Sequence, residues 1–260
     1  MRRFVVAVLC AGLAVVPALA HASTTSVVTR PGVLCGPHNH LVVGGTYMIR
    51  NTYWRGTGRT CIKHQRTTGF VVTRTPRPTA GHERVTTFPD IYRGCIWNMC
   101  TPRTNIPVQT SRIHHIWTRW HTVERAKGTW NAAYELWFGK RRQIRGHANG
   151  AEVMVWLNHH GACCILRRHA PIVRIQGYRF YVQMWRAHDP AFNLSWNYVQ
   201  FRMVHPRWRV DHLDLKPFIR YSERHHWVRP TWWLENVGAG FEIWHGGVGL
   251  RTSQFQATVR

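Results

Sequence analysis

The chain has 260 residues, 44% of them hydrophobic, and a formal net charge of +24. That is ample for one sizeable core, and past the N-terminus no segment reaches the ~18 uninterrupted apolar residues of a membrane span. The charge is almost all arginine, since Lys63, Lys127, Lys140 and Lys216 are the only lysines; apart from the doublets Arg141-Arg142 and Arg167-Arg168 it is dispersed along the mature chain, with no basic tail. It reads as solvated surface charge, so neither nucleic acid nor a membrane is expected as a partner.

In chain order, Arg2-Arg3, an apolar run over residues 4–16 and small residues at 18–22 read as a secretory signal, with cleavage expected after Ala22 and, as the alternative, after Ala20. The expected division is residues 1–22 as signal peptide and 23–260 as one exported, monomeric domain. Cys10 leaves with the signal, and six cysteines remain. An even count in an exported chain reads as disulfides: Cys95 and Cys100 are close enough to staple a short loop, and Cys35 with Cys61 would close an N-terminal hairpin. Cys163 and Cys164, beside His159 and His160, stay open between free thiols, a strained vicinal bridge and a metal site. No metal or other cofactor is expected.

Strand-like segments follow one another at 41–54, 70–73, 113–121, 130–138, 151–157, 171–175, 178–185 and 195–204, and again at 231–237, 241–244 and 253–259. Aromatic and branched residues fall on alternating faces, as where Tyr178, Phe180, Val182 and Met184 share one side. The stretch 210–222 alone reads as a helix, with Asp211 and Asp214 in a first turn that favours anions. Many short strands and one helix predict an all-β sandwich of two curved sheets.

Only 11 residues are acidic, yet three glutamates stand inside apolar strands beside a same-face tryptophan. Glu152 shares its face with Met154 and Trp156, Glu135 with Trp137, and Glu242 with Trp244. A carboxylate cannot be sunk in a dry core without a partner, so these faces should line a polar cleft. Paired carboxylates beside flat indoles are what cutting a sugar chain requires. One protonates the leaving oxygen, and the other attacks the sugar or activates water.

The blocks Tyr134-Glu135-Leu136-Trp137, Ala151-Glu152-Val153-Met154-Val155-Trp156 and Gly240-Phe241-Glu242-Ile243-Trp244-His245-Gly246-Gly247 occur in order. With Tyr47-Met48-Ile49-Arg50-Asn51 leading to Trp54, the loop from Gly94-Cys95 to Cys100-Thr101-Pro102, and Asp214-Leu215-Lys216-Pro217-Phe218, they resemble glycoside hydrolase family twelve across nearly the whole mature chain. The resemblance implies a β-jelly roll of two antiparallel sheets with one short helix. It also implies cofactor-free, retaining hydrolysis of β-1,4-glucans. By position Glu152 matches the nucleophile, Glu242 the general acid/base and Glu135 an acidic residue that supports the nucleophile. Trp54 and Trp156 match sugar-stacking positions, Met154 lines the cleft and Asn51 is a substrate-binding position. The chain departs from the pattern at Glu135, usually Asp, and at Thr52, where an Asn commonly binds sugar. Two other readings remain at this level: a jelly-roll carbohydrate binder without turnover, and a basic exported protein that holds anionic polymers.

Overall fold

A computed structural model describes residues 32–37, 39–53, 58–77, 84–142, 145–161, 166–167 and 169–260. The N-terminal strands are β1 (Val33–Cys35), β2 (Asn39–Val43), β3 (Tyr47–Tyr53), β4 (Cys61–Gln65), β5 (Gly69–Arg74) and β6 (Thr87–Ile96). Then come β7 (Met99–Cys100), β8 (Val108–Gln109), β9 (Ile116–Val123), β10 (Gly128–Gly139), β11 (Ala151–His160), β12 (Ile172–Ile175), β13 (Tyr178–Asp189), β14 (Leu194–Met203) and β15 (Arg209–Asp214). Helix α1 (Lys216–Arg224) precedes β16 (Trp233–Leu234), β17 (Asn236–Gly240), β18 (Ile243–Gly246) and β19 (Arg251–Val259).

The strands form two sheets. The smaller runs β1-β4-β5-β19-β9-β15; the larger runs β12-β13-β14-β11-β10-β17-β6-β3-β2, with β7, β8, β16 and β18 attached at its sides. The sheets are antiparallel except where β11 lies parallel to β14. Alternation decides what lies between them. Ala151, Val153, Val155 and Leu157 of β11 and Ala132, Tyr134, Leu136 and Phe138 of β10 face inward. There they meet Phe70, Trp120 and Phe255 of the smaller sheet. Trp120, fully buried, donates its indole N–H to Thr252 at 3.2 Å, so this tryptophan is core. The opposite face of the larger sheet carries Glu135 and Glu152, the arrangement expected from their period-two spacing.

Both expected disulfides form, Cys35–Cys61 and Cys95–Cys100. The expected helix over 210–222 is corrected at its N-terminal end: β15 pairs with β9 as far as Asp214, and α1 starts at Lys216. Pro217 is the reason, because a residue with fixed φ and no N–H fits only the first turn. Asp214 completes the break, accepting N–H bonds from Ile116 at 2.8 Å and Lys216 at 3.0 Å. The expected run 41–54 is two strands, β2 and β3, turned on Gly44 and Gly45 at φ of 60° and 62°. Strand β6, central in the larger sheet, is not among the expected segments. The signal segment, Trp54, Cys163 and Cys164 lie outside the described residues.

Candidate active site

Across the outer face of the larger sheet run two adjoining cavities. One, about 320 Å³, is lined by Glu135, Glu152 and Glu242 together with Arg50, Trp137 and Trp196. The other, about 730 Å³, is lined by Trp156, Trp185, Tyr198, Trp244, Gln183 and Gln200. Arg84, Val85 and Glu242 belong to both, which makes one continuous cleft with Glu242 at its middle.

Strand register assembles the carboxyls. Glu152 lies opposite Trp137 in the β10–β11 ladder and Glu135 opposite Met154, so the two glutamates are diagonal neighbours on one face. Glu242 arrives from the turn between β17 and β18 and is held by Asn131 of β10. The Asn131 side-chain amide donates to Glu242 Oε2, and its oxygen accepts the Glu242 backbone N–H at 3.2 Å. The Asn131 N–H in turn donates to the Glu242 carbonyl at 2.9 Å. Glu152 Oε2 accepts the indole N–H of Trp196 at 2.9 Å.

This crowding reshapes the acidities. Burial, aided by the charges of Glu135 and Glu242, lifts Glu152 well above the usual carboxylate range, while the Trp196 bond works the other way. Burial, then the nearby Asp90 charge, pushes Glu135 up to about 8, and Arg50 opposes the rise. Burial pushes Glu242 up to about 7 against the lowering bond from Asn131. Three such groups cannot all ionise near neutrality, so the cluster keeps a proton to give.

The other site residues expected from the sequence divide. Met154 is fully buried beneath the cleft, where its sulfur accepts the Tyr198 hydroxyl at 2.8 Å. Trp156 lines the cleft but is 1% exposed, so it offers an edge rather than an open stacking face. Its Nε1–H has no partner among the described residues. Partly exposed rings along the cleft include Trp97, Trp196, Trp244 and Trp185, the last stacked on Tyr198 at 4.2 Å. Asn51 is corrected outright. Its side chain alternates away from the cleft and donates to the carbonyls of Gly36 at 2.9 Å and Thr60 at 2.8 Å, which ties two loops to β3. Sequence reasoning missed Asn131, Trp196, Arg50 and Asp90. Asn131 had a readable signal, as it shares the alternating face of Glu135 four residues on. Asp90 and Arg50 had none, because their meeting depends on β3 pairing with β6.

A cleft along one sheet of a β sandwich, with proton-holding carboxyls at its middle and aromatic rings along it, defines an endo-acting glycoside hydrolase. The chain belongs to glycosyl hydrolase family 12, whose sequence profile matches residues 45–260. It is 34% identical to the endoglucanase Cel12A from Rhodothermus marinus, with 88% of this chain and 98% of that one covered at a TM-score of 0.78. A metagenome-derived family 12 endoglucanase is 33% identical, covering 88% and 97% at a TM-score of 0.79. The probable cellulase Cel12b of Mycobacterium tuberculosis is 26% identical over 156 residues, 60% of this chain and 98% of that protein.

Proposed function

We propose that the protein is an exported, monomeric endo-β-1,4-glucanase that hydrolyses internal glucan bonds with retention, without metal or cofactor, after its signal peptide is removed. Glu152 attacks the anomeric carbon as Glu242 gives its proton to the leaving oxygen. Water then attacks the same carbon, gives a proton to Glu242 and releases Glu152 as a carboxylate. Glu135 supports Glu152 from the diagonal position. Trp54 is a stacking platform, and Met154 shapes the floor beneath the nucleophile.

The observation that carries this reading is that Glu152 and Glu242 line one cavity, each with a side-chain donor fixing a carboxylate oxygen. Export agrees with two disulfides, and no helix among the described residues is long and apolar enough to cross a membrane. The test is release of reducing ends from carboxymethylcellulose, barley β-glucan and xyloglucan. Wild type is expected to cut at least one, and Glu152→Gln and Glu242→Gln to lose on the order of 10³-fold or more in kcat. Wild type inactive on all three, or either variant at full rate, removes the reading.

A further inference from the structure

The cleft floor holds a charged pair that the hydrolysis just described does not use. Arg50 of β3 and Asp90 of β6 face each other in register, and both are buried at 1% and 0% exposure. They are joined by two bonds, Nε to Oδ1 at 3.0 Å and Nη2 to Oδ2 at 2.9 Å. The guanidinium lies over the rings of Tyr92 and Trp97, 5.4 and 5.0 Å from their centroids. Its third nitrogen, Nη1, is buried without a hydrogen-bond partner among the described residues. Leaving such a donor unpaired is unfavourable, and more so when it is charged.

The strand between this pair and the catalytic carboxyls is β17. Val237 and Ala239 turn into the core, so Gly238 and Gly240 occupy the cleft face, and neither bears a side chain. Gly240 pairs with Asp90, and Gly238 lies between Tyr92 and Glu135. Across this bare strip, Glu135 and the Arg50–Asp90 pair act on each other electrostatically. Glu135 Oε2 is likewise buried and unpartnered among the described residues. Both residues line the cavity that holds Glu152 and Glu242, yet no ion pair joins them among the described residues. A donor and an acceptor left open on one cavity wall fit a group that accepts and donates at once. A hydroxyl does so, and sugar rings present several.

We propose that Arg50 Nη1 and Glu135 Oε2 together hold one hydroxyl of the sugar ring lying above them, the first donating to its oxygen and the second accepting its hydrogen. Arg50 is thereby a substrate-binding residue, and Asp90 positions it. Gly238 and Gly240 add no side chain to the strip between β6 and β10. This rests on the glucanase reading and adds a named contact to it.

The test compares an aryl β-cellobioside with its monodeoxy analogues, each lacking one ring hydroxyl. In wild type, one analogue is expected to lose about tenfold or more in kcat/KM relative to the parent. Three variants are expected to bring that same analogue within about twofold of the parent. Arg50→Lys keeps the charge opposite Asp90 but removes Nη1. Arg50→Gln combined with Asp90→Asn leaves no buried charge uncompensated. Glu135→Met removes the acceptor. Because parent and analogue are compared on one protein, a general loss of activity cancels from the ratio. Any of three results overturns the hydroxyl clamp alone: no analogue is penalised, the penalty persists in Arg50→Lys, or the Arg50 and Glu135 variants relieve different analogues. If wild type cuts neither the parent nor any polymeric glucan, the glucanase reading fails and takes the clamp with it.

Discussion

Asn131 grips Glu242 at three points, and only one of them bears on acidity. Its amide N–H favours the carboxylate and so lowers the Glu242 pKa against the larger upward push of burial. Removing the amide in Asn131→Ala should therefore raise the Glu242 pKa. The alkaline limb of kcat/KM, expected near the Glu242 value of about 7, should move up by about one pH unit while kcat falls. A limb that stays in place separates Asn131 from Glu242 as the proposed acid/base group. Trp196→Phe provides the complement. It removes the donor to Glu152 Oε2, so Glu152, the proposed nucleophile, should ionise less readily and the acidic limb should also rise.

Among the elements, β17 is tightly constrained at its last residue. A Cβ on Gly240 would come within 2.5 Å of the Pro89 carbonyl and 2.8 Å of Asp90 Cβ. Gly240→Ala must therefore push β6 away, and a loss of about 2–3 kcal/mol in urea unfolding is expected. The disulfides differ in reach. Cys35–Cys61 spans 26 positions and ties β1 to β4, whereas Cys95–Cys100 spans 5. By loop entropy, breaking the first with paired serines should cost about 3.5 kcal/mol and breaking the second about 2. Equal losses from the two would contradict that ordering.

At the scale of the whole molecule, protonation and charge dominate. Glu135 and Glu235 are pushed up to about 8 and Glu242 to about 7, in each case chiefly by burial. Their unfolded values lie near 4.5, so between there and about 8 the fold binds more protons than the unfolded chain. Stability from these groups is fully present below about pH 4.5 and declines as pH rises to about 8. Glu235 does not line the cleft, and its Oε1 is buried without a partner among the described residues. Glu235→Gln should raise Tm clearly at about pH 8.5 and hardly at about pH 4, read by calorimetry at both. The net charge of +24 gives a second expectation, since Arg84 and Arg167 line the cleft itself. Activity on carboxymethylcellulose should fall as salt rises, while activity on neutral barley β-glucan should hardly change.

The sequence by itself determined which side chains share a face. Alternation is a local property of extended backbone, and so Glu152, Met154 and Trp156 were legible as one side of a strand and Ala151, Val153 and Val155 as the other. The Cys95–Cys100 bridge and the family motifs were legible for a like reason, each being carried by residues close in the chain or by a motif that recurs whole. Strand β6 was hidden because Pro89, Asp90 and Gly94 are all depleted in strands, and only its neighbours on both sides stabilise it there. The helix boundary near Asp214 needed the carboxylate to meet the Ile116 N–H, 98 positions away. Tertiary structure alone decided that Asn131 would reach Glu242, that Asn51 would turn inward, and that Arg50 and Glu135 would line one cavity. Those outcomes depend on which strands pair and in what register, and register is fixed by the summed burial of both sheets rather than by any one segment.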